Sequence, residues 1–263
     1  MIFFPLVNAP NCKGWNSINF FPPNNWENEF KGTLYLYLLT IEDNVWVSHL
    51  IEKSNEYKSL IVHEKDVGKI SKSNQIKVFC LSYSVLPKTS TELFNINFNS
   101  TSLPTWRSSI GISNQTNSSS YQGEIIAFKP GSSFLTFAPF LQFAPDIDNY
   151  FLFVNLEKNT KLRESEIFFS SLKHPNNIKS HVLVKNNFVN VIKLDNLDYS
   201  KSSLPLISCK DMAGLPLFVS INKITNAISI EHTHPGASFV VHGKRWVAQN
   251  LLKEKWFKKI FSN

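Results

Sequence analysis

Apolar and polar residues alternate with a period of two along most of this chain, and a helical period of about 3.6 is confined to its last twenty residues. Thr33–Thr40 (TLYLYLLT) is a run of aromatic and aliphatic residues too short to favour a helix. Asn44–His49 alternates, with Val45 and Val47 on one face. Further strands are predicted over 58–63, 75–84, 92–98, 104–112, 121–129, 133–138, 150–156, 166–171 and 180–194, with Asn, Ser, Gly or Pro between them. The clearest hairpin joins Leu215–Ile221 to Ala227–Glu231 through Asn222–Asn226, where asparagine tolerates a positive φ. The first thirty residues, rich in Pro, Asn and aromatics such as Trp15, read as irregular chain covering a core edge.

The expected helix runs over about 244–261, after Gly243 and without an internal Pro or Gly. On a helical wheel Trp246, Val247, Leu251, Trp256, Phe257, Ile260 and Phe261 spread over a broad arc, and Lys255 and Lys259 mark the polar strip. Such a helix docks on a sheet with its lysine stems at the margins. A sharper reading is peripheral attachment to an anionic membrane. Together these patterns predict a mainly β fold, an antiparallel sandwich or bent sheet with one C-terminal α-helix, built as a single domain over 1–263. The weakest joint is expected at the polar stretch Asp195–Ser203.

Composition narrows the classes. Hydrophobic residues make up 43%, enough for a sizeable core, while charged residues reach only 18% and Asn and Ser fill the gap. The net charge of +7 is concentrated at the end: Lys244–Asn263 carries six basic residues and one acidic one. A nucleic-acid-binding domain spreads a basic stripe over its fold and interleaves it with aromatics, and no such stripe is seen, so nucleic acid is not an expected partner. Cys12, Cys80 and Cys209 form no C-x-x-C pair and read as reduced, buried thiols. Neither a signal peptide nor a transmembrane run is read, and the expected location is cytoplasmic, with peripheral membrane contact through the last helix as a variant. The sequons at Asn99, Asn114 and Asn117 carry little weight without a secretion signal.

Two constellations carry candidate chemistry. In Glu231-His232-Thr233-His234, His232 and His234 share one face of a strand end, and His242 follows closely. Together these three could ligate a divalent transition metal, Zn or Fe, with Glu124 or Glu231 as general base. The alternative is that the histidines only hydrogen-bond the turn into the last helix. The second constellation is Trp106-Arg107 with Tyr121-Gln122-Gly123-Glu124, separated by a polar, mobile loop ending at Ser119. Paired as a hairpin, these segments would offer an aromatic face, a guanidinium, an amide and a carboxylate to a small polar or glycan-like ligand. An Arg107–Glu124 ion pair between strands is the structural alternative. Two weaker candidates are Cys209-Lys210-Asp211, where Lys210 could lower the thiol pKa, and Asp146/Asp148 as cation ligands. Nucleophile-elbow, P-loop and dinucleotide motifs are all missing. The first functional reading is a β-scaffold binding protein for a polar, glycan-like ligand. The second is a metal-dependent enzyme, of hydrolase, lyase or oxygenase type, with His232, His234 and Glu124 in catalytic roles.

Overall fold

The structure, a computed structural model, describes residues 3–20, 33–56, 58–95, 108–138, 141–194, 204–232 and 245–262, with side chains of the last segment from Asn250 onward. In chain order its strands begin with β1 (Phe4–Pro5), β2 (Lys13–Phe20), β3 (Leu34–Glu42), β4 (Val45–Ser54) and β5 (Lys58–His63). A single helical turn, α1 (Glu64–Val67), leads to β6 (Val78–Ser82), β7 (Thr89–Ser90), β8 (Ser108–Ser113), β9 (Ser118–Gly123) and β10 (Phe134–Phe137). Next come β11 (Ile147–Val154), β12 (Glu164–Ser171), β13 (Ser180–Lys185), β14 (Val189–Lys193), β15 (Pro205–Cys209), β16 (Leu215–Asn222) and β17 (Ile228–His232), before α2 (Arg245–Phe261). Strands account for 54% and helix for 8%, so the fold is mainly β with a C-terminal helix.

The expected sandwich or bent sheet is corrected. The strands form four small antiparallel sheets, ordered β1-β6-β3-β4-β7, β5-β2-β8-β9, β14-β11-β16-β17 and β10-β15-β12-β13, arranged in a propeller-like ring. The physical reason lies in strands buried on both faces. Tyr37, Leu39 and Ile41 of β3 enter one core, while Leu34, Leu36 and Leu38 enter another. Likewise Tyr150, Leu152 and Val154 of β11 face the first core, and Phe151 and Phe153 face a third, with Phe134, Phe169 and Phe218. A sandwich has one core between two sheets; here the inner strands separate several. A run such as Leu34–Ile41 reads as apolar throughout for that reason.

Several boundaries move. The N-terminal segment is not irregular. β2 is an inner strand whose Gly14, Asn16, Ile18 and Phe20 are buried and whose Lys13, Trp15, Ser17 and Asn19 face outward. A polar residue on the inward side, Asn16, whose amide donates to the Pro5 carbonyl (3.2 Å), hides the period. Strand 92–98 is not formed over its described part, where Glu92 makes only an isolated bridge to Asn159. Strand 104–112 is described from 108 onward, as β8. The predicted 121–129 strand becomes β9 followed by separate bridges at Ile125 and Phe128. β15 escaped the sequence reading, and 195–203 lies outside the described residues.

The predicted 180–194 strand is two strands in two different sheets. The break is a buried polar hub at Asn186-Asn187, with Asn187 at φ 54°. Asn187 accepts from the Glu157 amide (2.7 Å) and donates to the Asn159 carbonyl (2.8 Å). Asn186 accepts from the Arg163 amide (2.7 Å), and Asn155 accepts from the Asn187 amide (2.9 Å). Glu157, only 2% exposed, takes a 2.6 Å ion pair from Arg163. Desolvated carboxylates persist only with such partners.

α2 lies against the β10-β15-β12-β13 sheet. Ile260 is buried with Leu135 and Leu206. Trp256 meets Phe137 edge-on at 5.7 Å, and Phe261 meets Phe168 edge-on at 5.2 Å. Among the described residues no helix is long and apolar enough to cross a membrane.

Candidate functional site

β8 and β9 pair as the predicted hairpin arms, in the register Ile110↔Tyr121 and Ser109↔Gln122. Trp106 and Arg107 lie outside the described residues, as do His234 and His242. The loop between the arms is tied down. Asn114 Oδ1 accepts from the amides of Thr116 (3.0 Å) and Asn117 (2.8 Å), and both asparagine amides donate to the Asn226 carbonyl of the β16–β17 hairpin. Asn226 has φ 57°, as its place in that turn required.

That tie sets β9 beside β17, where the Ile230 amide donates to Ser119 Oγ (3.2 Å). One residue from each predicted constellation therefore meets the other: the Tyr121 and His232 rings stack with centroids 4.9 Å apart and planes at 26°. Tyr121 also covers Gly123, where a Cβ would collide with the phenol ring. Glu231 points away from His232, on the solvent side of β17. Glu124 follows β9 directly and is half-buried. Of the proposed metal-ligating set, only His232 is described. Among the described residues no group of three or more His, Cys, Asp or Glu is placed to hold a metal ion.

The weaker candidates are resolved by their contacts. Burial pushes the Cys209 thiol up, opposite to the activation envisaged beside Lys210, and its Sγ lies 3.2 Å from Ser165 Oγ. The Lys210 ammonium is turned away, 3.8 Å over the Phe261 ring. Asp148 is paired with Lys193 at 3.1 Å, with Lys223 at 3.9 Å.

Tyr121 and Gln122 are adjacent in a strand and so face opposite sides of the sheet. Tyr121 points inward with Ile110, while Gln122 joins an outward face that sequence reasoning missed. Across the β5-β2-β8-β9 sheet, that face presents the row His63–Trp15–Gly111–Ser120 and, beside it, Ile61–Ser17–Ser109–Gln122. Ser59 and Asn19 extend it at one end, Ser113 and Ser118 at the other. The Trp15 indole lies over Gly111, where a Cβ would run into the fused ring, and Nε1 donates to Ser118 Oγ (3.1 Å). Glycine at 111 is thus the seat of an aromatic plate. Among the described residues none hydrogen-bonds the side chains of Ser17, Ser109, Ser120 or Gln122. Ile61 is 56% exposed next to them. Among the described residues of this face the one strong charge, Lys13, stands at the rim, 3.4 Å from Glu64. The signal in sequence was the alternation Lys13-Gly-Trp-Asn-Ser-Ile-Asn-Phe20, but Gly111 becomes meaningful only once β2 and β8 are paired.

Compared with known protein families, with curated proteins and with solved structures, the chain matches none.

Proposed function

We propose that this is a binding protein whose β scaffold takes a polar, glycan-like ligand on the outward face of the β5-β2-β8-β9 sheet. The observation that carries the reading is the Trp15 indole lying over Gly111 amid neutral hydroxyl and amide side chains. An indole plate offers a wide apolar surface to the C–H face of a sugar ring. Serine hydroxyls and the amides of Asn19 and Gln122 both donate and accept, as a ring of hydroxyls requires. Among the described residues the centre of this face carries no lysine or arginine to hold a phosphate or carboxylate, which favours a neutral polyol over a nucleotide or acidic ligand. The Tyr121–His232 stack lies on the other side of the same edge strand and supports β9 from within.

A panel of neutral soluble oligosaccharides, titrated by calorimetry and by tryptophan fluorescence, tests the reading. Shallow neutral sites bind weakly, and a Kd in the range of roughly 10 µM to 1 mM is expected. Trp15→Ala should weaken binding by more than about tenfold, as removal of a central aromatic anchor does. If no saccharide binds, or if Trp15→Ala binds as well as the parent, the reading is wrong. Loss of binding in His232→Ala but not in Trp15→Ala would move the site to the ring stack.

A further inference from the structure

Among its described residues, α2 docks only part of its apolar arc against the sheet, and Phe257 with one side of Phe261 borders a groove. The inward residues Trp256, Ile260 and Phe261 are docked. Beside them, a cavity of about 620 Å³ opens between α2 and the ends of β10 and β15, within the ordinary size of a small-molecule site. Its floor is aromatic: Phe257 and Phe261, one helical turn apart, stack with centroids at 5.8 Å and planes at 10°. Its walls are cationic, with Lys210, Lys253 and Lys258 against a single acid, Glu254. Lys253 donates to the Ser133 carbonyl (3.1 Å), which fixes one ammonium at the wall. Burial lowers its pKa from the usual lysine value, so an anion beside it would relieve a desolvated charge. Lys210 is held over the Phe261 ring and spans the boundary between floor and wall.

We propose that this groove binds a monomeric amphiphile with an anionic head and an apolar tail, the head between the lysines and the tail along Phe257 and Phe261. Charge complementarity and an aromatic floor set one beside the other are the two requirements of that ligand class, and the groove meets both. The site is separate from the Trp15 face and does not depend on it.

Dodecanoate, titrated below its micelle concentration into the full chain, is the probe. Dodecyl maltoside keeps the tail and removes the charge; acetate keeps the charge and removes the tail. Binding of one dodecanoate per chain is expected, with either comparator at least about tenfold weaker. Lys210→Gln combined with Lys258→Gln should weaken dodecanoate by about tenfold or more, and Phe257→Ala by a similar factor, both at unchanged circular dichroism. Trp15→Ala should leave dodecanoate binding unchanged. Equal binding of dodecyl maltoside, equal binding of acetate, or indifference to both sets of substitutions would overturn the proposal. So would association with phosphatidylglycerol vesicles without any binding of monomer, which would make the helix a surface anchor instead.

Discussion

The hub around Asn186 and Asn187 and the outward face around Trp15 are built from similar polar material and use it in opposite ways. In the hub, Asn155, Glu157, Asn186 and Asn187 are buried and direct their polar groups at one another and at neighbouring backbone, and the half-buried Arg163 guanidinium closes the cluster from its edge. On the face, Ser17, Ser109, Ser120 and Gln122 point outward from the sheet and engage nothing within the described protein. A polar side chain whose hydrogen bonds are satisfied internally specifies the fold; one that remains unengaged beside an aromatic plate is free to specify a ligand. The abundance of Asn and Ser therefore says nothing about binding until partners are known.

The largest effect expected is in the hub. Glu157→Ala takes from the Arg163 guanidinium its closest acceptor and from the Asn186 amide one of two, leaving Arg163 with Asp211 and Asn186 with the Lys161 carbonyl, in a site where Glu157 is 2% exposed. Breaking a fully buried pair costs about 3–5 kcal/mol; with Arg163 half-buried and still beside Asp211, a loss of about 2–3 kcal/mol is expected, several degrees in Tm for a domain of this size. Urea unfolding followed by circular dichroism reads it directly. A loss below about 1 kcal/mol would mean that water reaches the pair, and the contrast between the two regions would collapse.

How much of this was legible beforehand depends on how far apart the partners lie. The β16–β17 hairpin, with Asn226 in its turn, was readable because strand, turn and strand are contiguous. So was α2, whose docking uses a local 3.6-residue pattern and whose bounds came out at Arg245–Phe261. The division into four sheets was not, because a continuous apolar run such as Leu34–Ile41 states that both faces are buried without stating against what. The hub was hidden for the same reason: Asn187 and Glu157 stand 30 residues apart, and an Asn-Asn pair reads equally well as a surface turn. Trp15 was seen as an aromatic in loose chain because its seat, Gly111, belongs to a distant strand. Tyr121 and His232 were each singled out, but their stack required two edge strands from different sheets to meet.

On the face itself the next largest effect belongs to Gly111→Ala. The added methyl enters the space of the Trp15 ring, which must lift off the sheet and release Ser118. Overpacking of this kind costs about 1–3 kcal/mol, less here to the extent that the indole can swing into solvent. A drop in stability with loss of saccharide binding is expected, along with a shift of tryptophan emission towards that of exposed indole. Unchanged emission would show that the ring never lay on the glycine.

The thiols give a pH test from the buried side. Cys12, Cys80 and Cys209 all have their pKa raised by burial. An unfolded thiol ionises near pH 8.5 and these do not, so the folded state holds protons that the unfolded state releases. Stability contributed by these groups is complete below about pH 8 and falls as the pH rises past the unfolded value. The urea midpoint should decline from pH 8 to pH 10, and iodoacetamide at pH 8 should label the thiols only after unfolding. Rapid labelling of Cys209 in the native protein would restore it as a reactive group.

The smallest expected effect is also the most discriminating. Ser120 sits in the same row as Trp15 and Gly111, is exposed, and has no partner among the described residues. Ser120→Ala should change stability by less than about 0.5 kcal/mol, because nothing internal depends on its hydroxyl. If the row reads a ligand, saccharide binding should nonetheless weaken by about threefold to tenfold, the usual worth of one neutral hydrogen bond. A variant that is neutral in both measurements would leave Trp15 as an isolated surface aromatic. A variant that unfolds more easily would place Ser120 with the hub, as a residue whose chemistry is consumed by the fold.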